Sequence, residues 1–210
     1  MTLVSIVLLC GISFLIGLVR TKVISKYILL AVSVIVLFAL QPNLPIRFLG
    51  FWLPFSTLVI TILSWVITSY SEDFKLRNSL PAIAVIISVV LGIGIGRYWG
   101  PLIAFIPTQP PQIFPILISI LLSGICFVIL SKARNSISYF WIGFILIIFL
   151  IIKTPFLSYQ SSLFLRILND QSVEVANSLD IRWLGFSYIA FRIIHTIRDR
   201  QAERLTAVSV

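Results

Sequence analysis

Uninterrupted apolar runs recur along this 210-residue chain, and they constrain its fold more than any other feature. Crossing a hydrocarbon core of about 30 Å takes about 20 apolar residues in an α-helix. Lipid offers no hydrogen bonds, so the backbone of a crossing segment must satisfy itself, and each run reads as a helix. The runs fall at about 3–19, 25–40, 48–70, 81–98, 113–130, 137–152 and 181–197. The expected fold class is all-α, a polytopic integral membrane helix bundle with about seven transmembrane helices. Pro42 and Pro45 in "QPNLP" close the second run, because proline lacks an N–H and clashes with the preceding turn. The stretch "PTQPPQ", 107–112, is a turn-rich link of the same kind.

Composition excludes a soluble alternative. The chain is 59% hydrophobic and 11% charged, whereas a soluble domain carries about 25% charged residues. Its net charge of +9 would suggest a nucleic-acid partner in a soluble protein. No soluble module remains here to hold one, so the expected partner is the lipid bilayer. Basic residues in membrane proteins mark cytoplasmic loops. With the N-terminus outside, eleven of the sixteen Lys and Arg fall on the cytoplasmic side: Arg20, Lys22, Lys26, Lys75, Arg77, Lys132, Arg134, Arg192, Arg198, Arg200 and Arg204. Arg47, Arg97, Lys153, Arg166 and Arg182 make up the outer set. The bias predicts an N-out, C-in topology. The first run has no basic residue before it, the wrong order for a cleaved signal peptide, and reads as a retained helix.

Three regions follow: 1–152, a hydrophobic bundle of about six spans; 153–180, an amphipathic or interfacial segment; and 181–210, a last span with a short basic cytoplasmic tail. In the middle region Arg166, Asp170 and Glu174 recur every four residues, which predicts one charged helix face. Phe164, Leu165, Leu168 and Val175 fall opposite, while Leu163 and Ile167 lie beside the charges. The expectation is an imperfect amphipathic helix lying in the outer interface, with a solvated helix between spans as the alternative.

Motifs for metal or cofactor chemistry are few. Cys10 and Cys126 lie inside apolar runs, and there is no CxxC, no HExxH and one histidine. No disulfide, metal site or cofactor is expected. "GIGIG", 92–96, lacks the GxGxxG spacing and follows no strand, so its glycines read as sites of close helix packing or a bend.

The last run carries ionisable residues where hydrocarbon is expected. Tyr188, Arg192, His195 and Asp199 share one helical stripe. His195 and Asp199 are spaced to pair, and Arg192 is near enough to the end of the run to snorkel to the headgroups. The surrounding letters, "LGFSYIAFRIIHTIRDRQ", resemble a signature of the membrane-bound O-acyltransferase family, especially its bacterial and cyanobacterial members. The residues carrying it are Gly185, Phe186, Ser187, Tyr188, Phe191 and Arg192, and the match covers about 179–201. The resemblance implies acyl transfer from a thioester or lipid-linked donor to a hydroxyl, in a many-helix bundle pierced by a tunnel. It makes Ser187, Tyr188, Arg192 and His195 candidate tunnel-lining residues, and a bacterial inner membrane the expected location. The family's catalytic histidine and its polar partner lie well beyond this signature. Only nine residues follow Gln201, and the setting of His195 does not match that catalytic histidine. No catalytic residue is therefore assigned. The chain is expected to be the N-terminal portion of such a protein, inactive alone: a truncated product, a short relative, or one half of a split protein whose second polypeptide completes the bundle. The alternatives are a membrane scaffold or assembly partner, and a small transporter-like subunit. A transporter needs ionisable residues at mid-span depth, and the first six runs have almost none.

Overall fold

The computed structural model describes residues 22–69, 76–96, 109–132 and 134–202, with the single positions 11, 98 and 204. The described residues form seven α-helices and no strand: α1 Lys22–Leu40, α2 Leu49–Thr68, α3 Leu76–Gly96, α4 Ile113–Lys132, α5 Arg134–Lys153, α6 Pro155–Leu168 and α7 Phe186–Gln201. The protein is an all-helical membrane protein. Among the described residues, α2, the 79–96 part of α3, and α4 are long and apolar enough to cross a bilayer. A fourth crossing exists if the bent pair α5 and α6 counts as one, and the apolar part of α1, Ser25–Leu40, is shorter. Among the described residues this gives three or four crossings, and the expected count of seven is not confirmed by them. The first expected run, 3–19, lies outside the described residues except for position 11.

Helix α2 is the hub, packing against α1, α4, α5 and α7. In its apolar window 61% of the residues are buried, against 11% in α4. The core and the lipid-facing belt therefore separate by helix. One cluster joins Val34 and Phe38 of α1, Phe51 and Phe55 of α2, Val90 and Ile93 of α3, and Ile116 of α4. A second joins Ile60, Leu63 and Ile67 of α2 to Trp141 and Ile145 of α5 and to Phe186, Ala190, Ile193 and Ile197 of α7. On α4, Phe114, Leu117, Leu121, Leu122, Ile125 and Ile129 are exposed, as hydrocarbon-facing side chains should be. Gly94 fulfils the packing role expected of its motif: a Cβ there would meet Ile116 Cδ1 at 2.7 Å, where α3 crosses α4.

Hydroxyls in α2 donate into their own helix. Thr57 bonds the Leu53 carbonyl at 3.0 Å and Ser64 the Ile60 carbonyl at 2.6 Å. Their lone pairs remain to accept indole N–H groups: Trp183 to Thr57 and Trp141 to Ser64, both at 2.8 Å. These two bonds and the second core cluster set the helix directions. Helix α5 runs antiparallel to α2, and α7 runs parallel to it. One end of the bundle, the loop end, collects residues 41–48 and 154–185. The other, the basic end, collects Lys22, Lys26, Lys132, Arg134, Arg198 and Arg200 at helix termini.

Helix α6 turns 92° from α5 at Thr154. Pro155 opens it, where the missing N–H costs nothing. Its faces are inverted relative to a soluble helix. Ser158, Ser162 and Arg166 are buried, while Phe156, Phe164, Ile167 and Leu168 are exposed. This corrects the expected stripe. The helix ends at Leu168, Asp170 takes a left-handed φ of 52°, and no helix includes Glu174. Arg166 therefore does not share a face with Asp170 and Glu174, and it points inward. Phe164, Leu168 and Val175 are exposed. Leu165 of that set packs against Ile46, Leu49 and Leu53.

The last expected span is also shifted. Residues 181–183 have no regular secondary structure, α7 begins at Phe186, and it continues through the charged stretch to Gln201. At 16 residues it does not reach the spanning length that α2 and α4 have.

Candidate functional site

Two polar regions adjoin α7, one before its start and one along its outer face. At the loop end, residues 169–185 fold under α6 and are fixed by Asp180. Its Oδ2 accepts from Ser162 Oγ at 2.6 Å, from Arg166 Nε at 3.0 Å and Nη2 at 2.9 Å, and from the Asn177 backbone N–H at 3.1 Å. Arg166 Nη1 also donates to the Ser172 carbonyl at 3.3 Å, and Ser158 Oγ donates to the Ser178 carbonyl at 2.7 Å. Arg166 and Asp180 are 4% and 6% exposed, so the pair is desolvated and its geometry must replace water. Burial alone would raise the Asp180 carboxyl's pKa. The bonds from Ser162, Arg166 and Asn177, with the guanidinium charge, outweigh that and hold it below the ordinary aspartate value.

From Asp180 the chain is pinned twice more before α7 starts. Gln41 Nε2 donates to the Arg182 carbonyl at 2.7 Å, and Trp183 reaches Thr57 on α2. Gly185 then adopts φ 71°, a left-handed turn that glycine takes without a Cβ penalty, and α7 begins. The signature glycine is thus the pivot between the network and the helix.

On α7, Phe186, Ala190, Ile193 and Ile197 recur every three to four residues and seat the helix on α2 and α5. That places the complementary face outward. Tyr188, Phe191, Arg192, His195, Thr196 and Asp199 line one open recess of about 410 Å³. Arg192 Nη1 donates to Tyr188 Oη at 3.2 Å, and His195 Nδ1 lies 3.1 Å from Asp199 Oδ2. The periodicity therefore brings Tyr188, Arg192, His195 and Asp199 together, with Phe191 and Thr196 added. Ser187, half-buried, stands off this stripe. All three candidates on the recess are exposed, and the His195 side chain is 78% exposed. Among the described residues the recess is an open wall rather than an enclosed tunnel.

What this wall can do chemically is limited and definite. It offers one guanidinium, one imidazole oriented by a carboxylate, one phenol and an aromatic face. The chemistry of that set suits an anionic or hydroxyl-bearing group. Among the described residues no group of three or more His, Cys, Asp or Glu side chains is placed to hold a metal ion. Cys126 is exposed on α4, and Cys10 lies outside the described residues. Reading the sequence alone missed Asp180 and Ser162. The one available signal was Asp180 itself, an acid beside an apolar run with Arg166 upstream. Comparison with protein-family models, with curated proteins and with solved structures returns no match.

Proposed function

We propose that this chain is the helical membrane portion of an O-acyltransferase-like protein, and that α7 contributes one wall of a polar compartment completed by a second polypeptide. The observation that carries this reading is the outward stripe of α7. Its inner face is fully used in packing, so Tyr188, Arg192, His195 and Asp199 are free to face whatever completes the wall. The letters around them, from Gly185 to Arg192, supply the resemblance to the acyltransferases. On this reading Arg192 and Tyr188 position an anionic or hydroxyl-bearing group, and Ser187 is a polar neighbour. His195 is not the general base, because a base must be held beside both donor and acceptor, and here it lies on an open surface.

The proposed setting is a bacterial plasma membrane with the basic end of the bundle in the cytoplasm, following the distribution of Lys and Arg. A reporter fused after Val210 should then read as cytoplasmic.

The enzymatic reading is tested with purified full chain, an acyl-thioester donor and hydroxyl acceptors. No acylation is expected from the chain alone. Acylation is expected on co-expression with the product of an adjacent reading frame that carries apolar spans and an intramembrane histidine, and Arg192→Leu should abolish it while leaving the complex intact. Acyl transfer by the chain alone, or full activity of the Arg192→Leu complex, would refute the proposal. A scaffold without chemistry is the second reading. It is favoured by the recess being open and built from one helix, and it predicts a stable complex with no transfer.

A further inference from the structure

A second cavity, of about 380 Å³, opens at the loop end of the bundle, away from the α7 stripe. Asn43, Arg47, Phe48, Gly50, Gln109 and Gln171 contribute to its wall. Three amide-bearing residues and one arginine thus border one hollow of a chain that is 59% hydrophobic. The wall is also braced. Gln171 Oε1 accepts from the Arg47 backbone N–H at 2.9 Å, and its Nε2 donates to the Pro45 carbonyl at 3.3 Å. Phe48 holds a left-handed φ of 62°, a strained setting for a bulky residue, with the Arg47 guanidinium 5.6 Å above its ring. Gly50 belongs to the first turn of α2, whose N-cap residue, Phe48, has no side-chain acceptor to give. Neither Asp170 nor Glu174, the acids of the neighbouring loop, is part of the wall.

Depth follows from α6. This helix lies across the direction of α5 and exposes Phe156, Phe164, Ile167 and Leu168, so it belongs in the membrane interface. Gln171 comes three residues after α6 ends, and Leu165 of α6 packs against Ile46 and Leu49. With α6 placed in the interface, the mouth of the cavity comes to headgroup depth. We infer that it is a binding site for the phosphodiester of a membrane phospholipid. Arg47 pairs with the phosphate, the amides of Asn43, Gln109 and Gln171 bond headgroup oxygens, and the acyl chains lie against the exposed face of α6. This site is independent of the acyltransferase reading.

The test uses the full chain in neutral detergent, with the thermal midpoint followed by tryptophan fluorescence during titration of a short-chain phosphatidylglycerol. The lipid should raise the midpoint, and the diacylglycerol of the same chain length should not. Arg47→Gln should weaken binding about tenfold or more, as loss of a charge-assisted hydrogen bond does. Lys153→Gln, which removes an exposed cation at the same end but outside the cavity, should leave binding unchanged. Equal weakening by Lys153→Gln would mean diffuse surface charge and overturn the site. Equal protection by diacylglycerol, or by inorganic phosphate at the same concentration, would overturn the phospholipid assignment. If Arg47→Gln does not fold, Gln109→Leu should weaken binding several-fold, and unchanged affinity in that folded variant would also sink the inference.

Discussion

The two polar regions beside α7, one before its start and one along its outer face, use the same residue types for opposite purposes. At the loop end, Arg166 and Asp180 are buried and bonded to each other, to Ser162 and to backbone groups. On the outer face of α7, Arg192, His195 and Asp199 make one short bond each within their own helix and are otherwise open. A charge in an apolar protein is informative through where its remaining bonding capacity points. Inward and saturated, it organises the fold. Outward and unsaturated, it is available to something beyond the chain.

The largest effect should come from breaking the saturated pair. Asp180→Ala leaves a buried guanidinium without its partner and should destabilise the protein by about 3–5 kcal/mol, read as a lowered midpoint of thermal unfolding in detergent. Replacing both members, Arg166→Met with Asp180→Leu, should cost clearly less, because no uncompensated charge remains. Equal losses in the two variants would show that the network's value lies outside the ion pair.

A smaller effect is expected from pH. The Asp180 pKa is lowered from its ordinary 3.8, so the unfolded chain binds a proton more readily than the folded one. The stabilisation is fully present above that ordinary value and is lost as pH falls through the folded value. Unfolding midpoints measured from pH 6 down to pH 3 should fall more steeply for the native chain than for Asp180→Asn. Parallel curves would assign the acid sensitivity to other carboxyls.

Gly94→Leu probes the core formed by α1, α2, α3 and α4. Added side-chain volume must displace Ile116, and overpacking of this kind costs about 1–3 kcal/mol. Gly94→Ala should cost less, because the atom it meets is the far end of a flexible side chain. The smallest effect belongs to the open stripe: Arg192→Leu should leave the unfolding midpoint of the isolated chain unchanged. A clear drop would mean that Arg192 is engaged inside the protein, and the contrast between the two regions would collapse.

The apolar runs made the helices legible in the sequence, because length and hydropathy alone decide whether a segment satisfies its backbone in lipid. The ends of α2, α4 and α5 fall within a few residues of the runs that announce them. The stripe on α7 was legible for a similar reason, since spacings of three and four residues put Tyr188, Arg192, His195 and Asp199 in line on any helix. Which way the line faces was not legible, because Phe186, Ala190, Ile193 and Ile197 had to find α2 and α5 first. The middle region misled for a definable reason. A four-residue rhythm through Arg166, Asp170 and Glu174 implies one face only while the helix lasts, and the left-handed turn at Asp170 ends it. The pairing of Arg166 with Asp180, 14 residues away, depends on how the loop folds back, which no local periodicity reports.

The chain between Asp180 and Gly185 also fixes the azimuth of α7. Three anchors in six residues, at Asp180, Arg182 and Trp183, leave the helix no freedom to choose its starting angle. Each residue of an α-helix advances it by about 100°. One residue inserted after Trp183 would turn every side chain of α7 by about that angle, bringing the recess side chains round towards the flank where α2 and α5 pack. The loop is in this sense an index mark. It carries no chemistry of its own, yet it decides which third of the cylinder the rest of the cell meets.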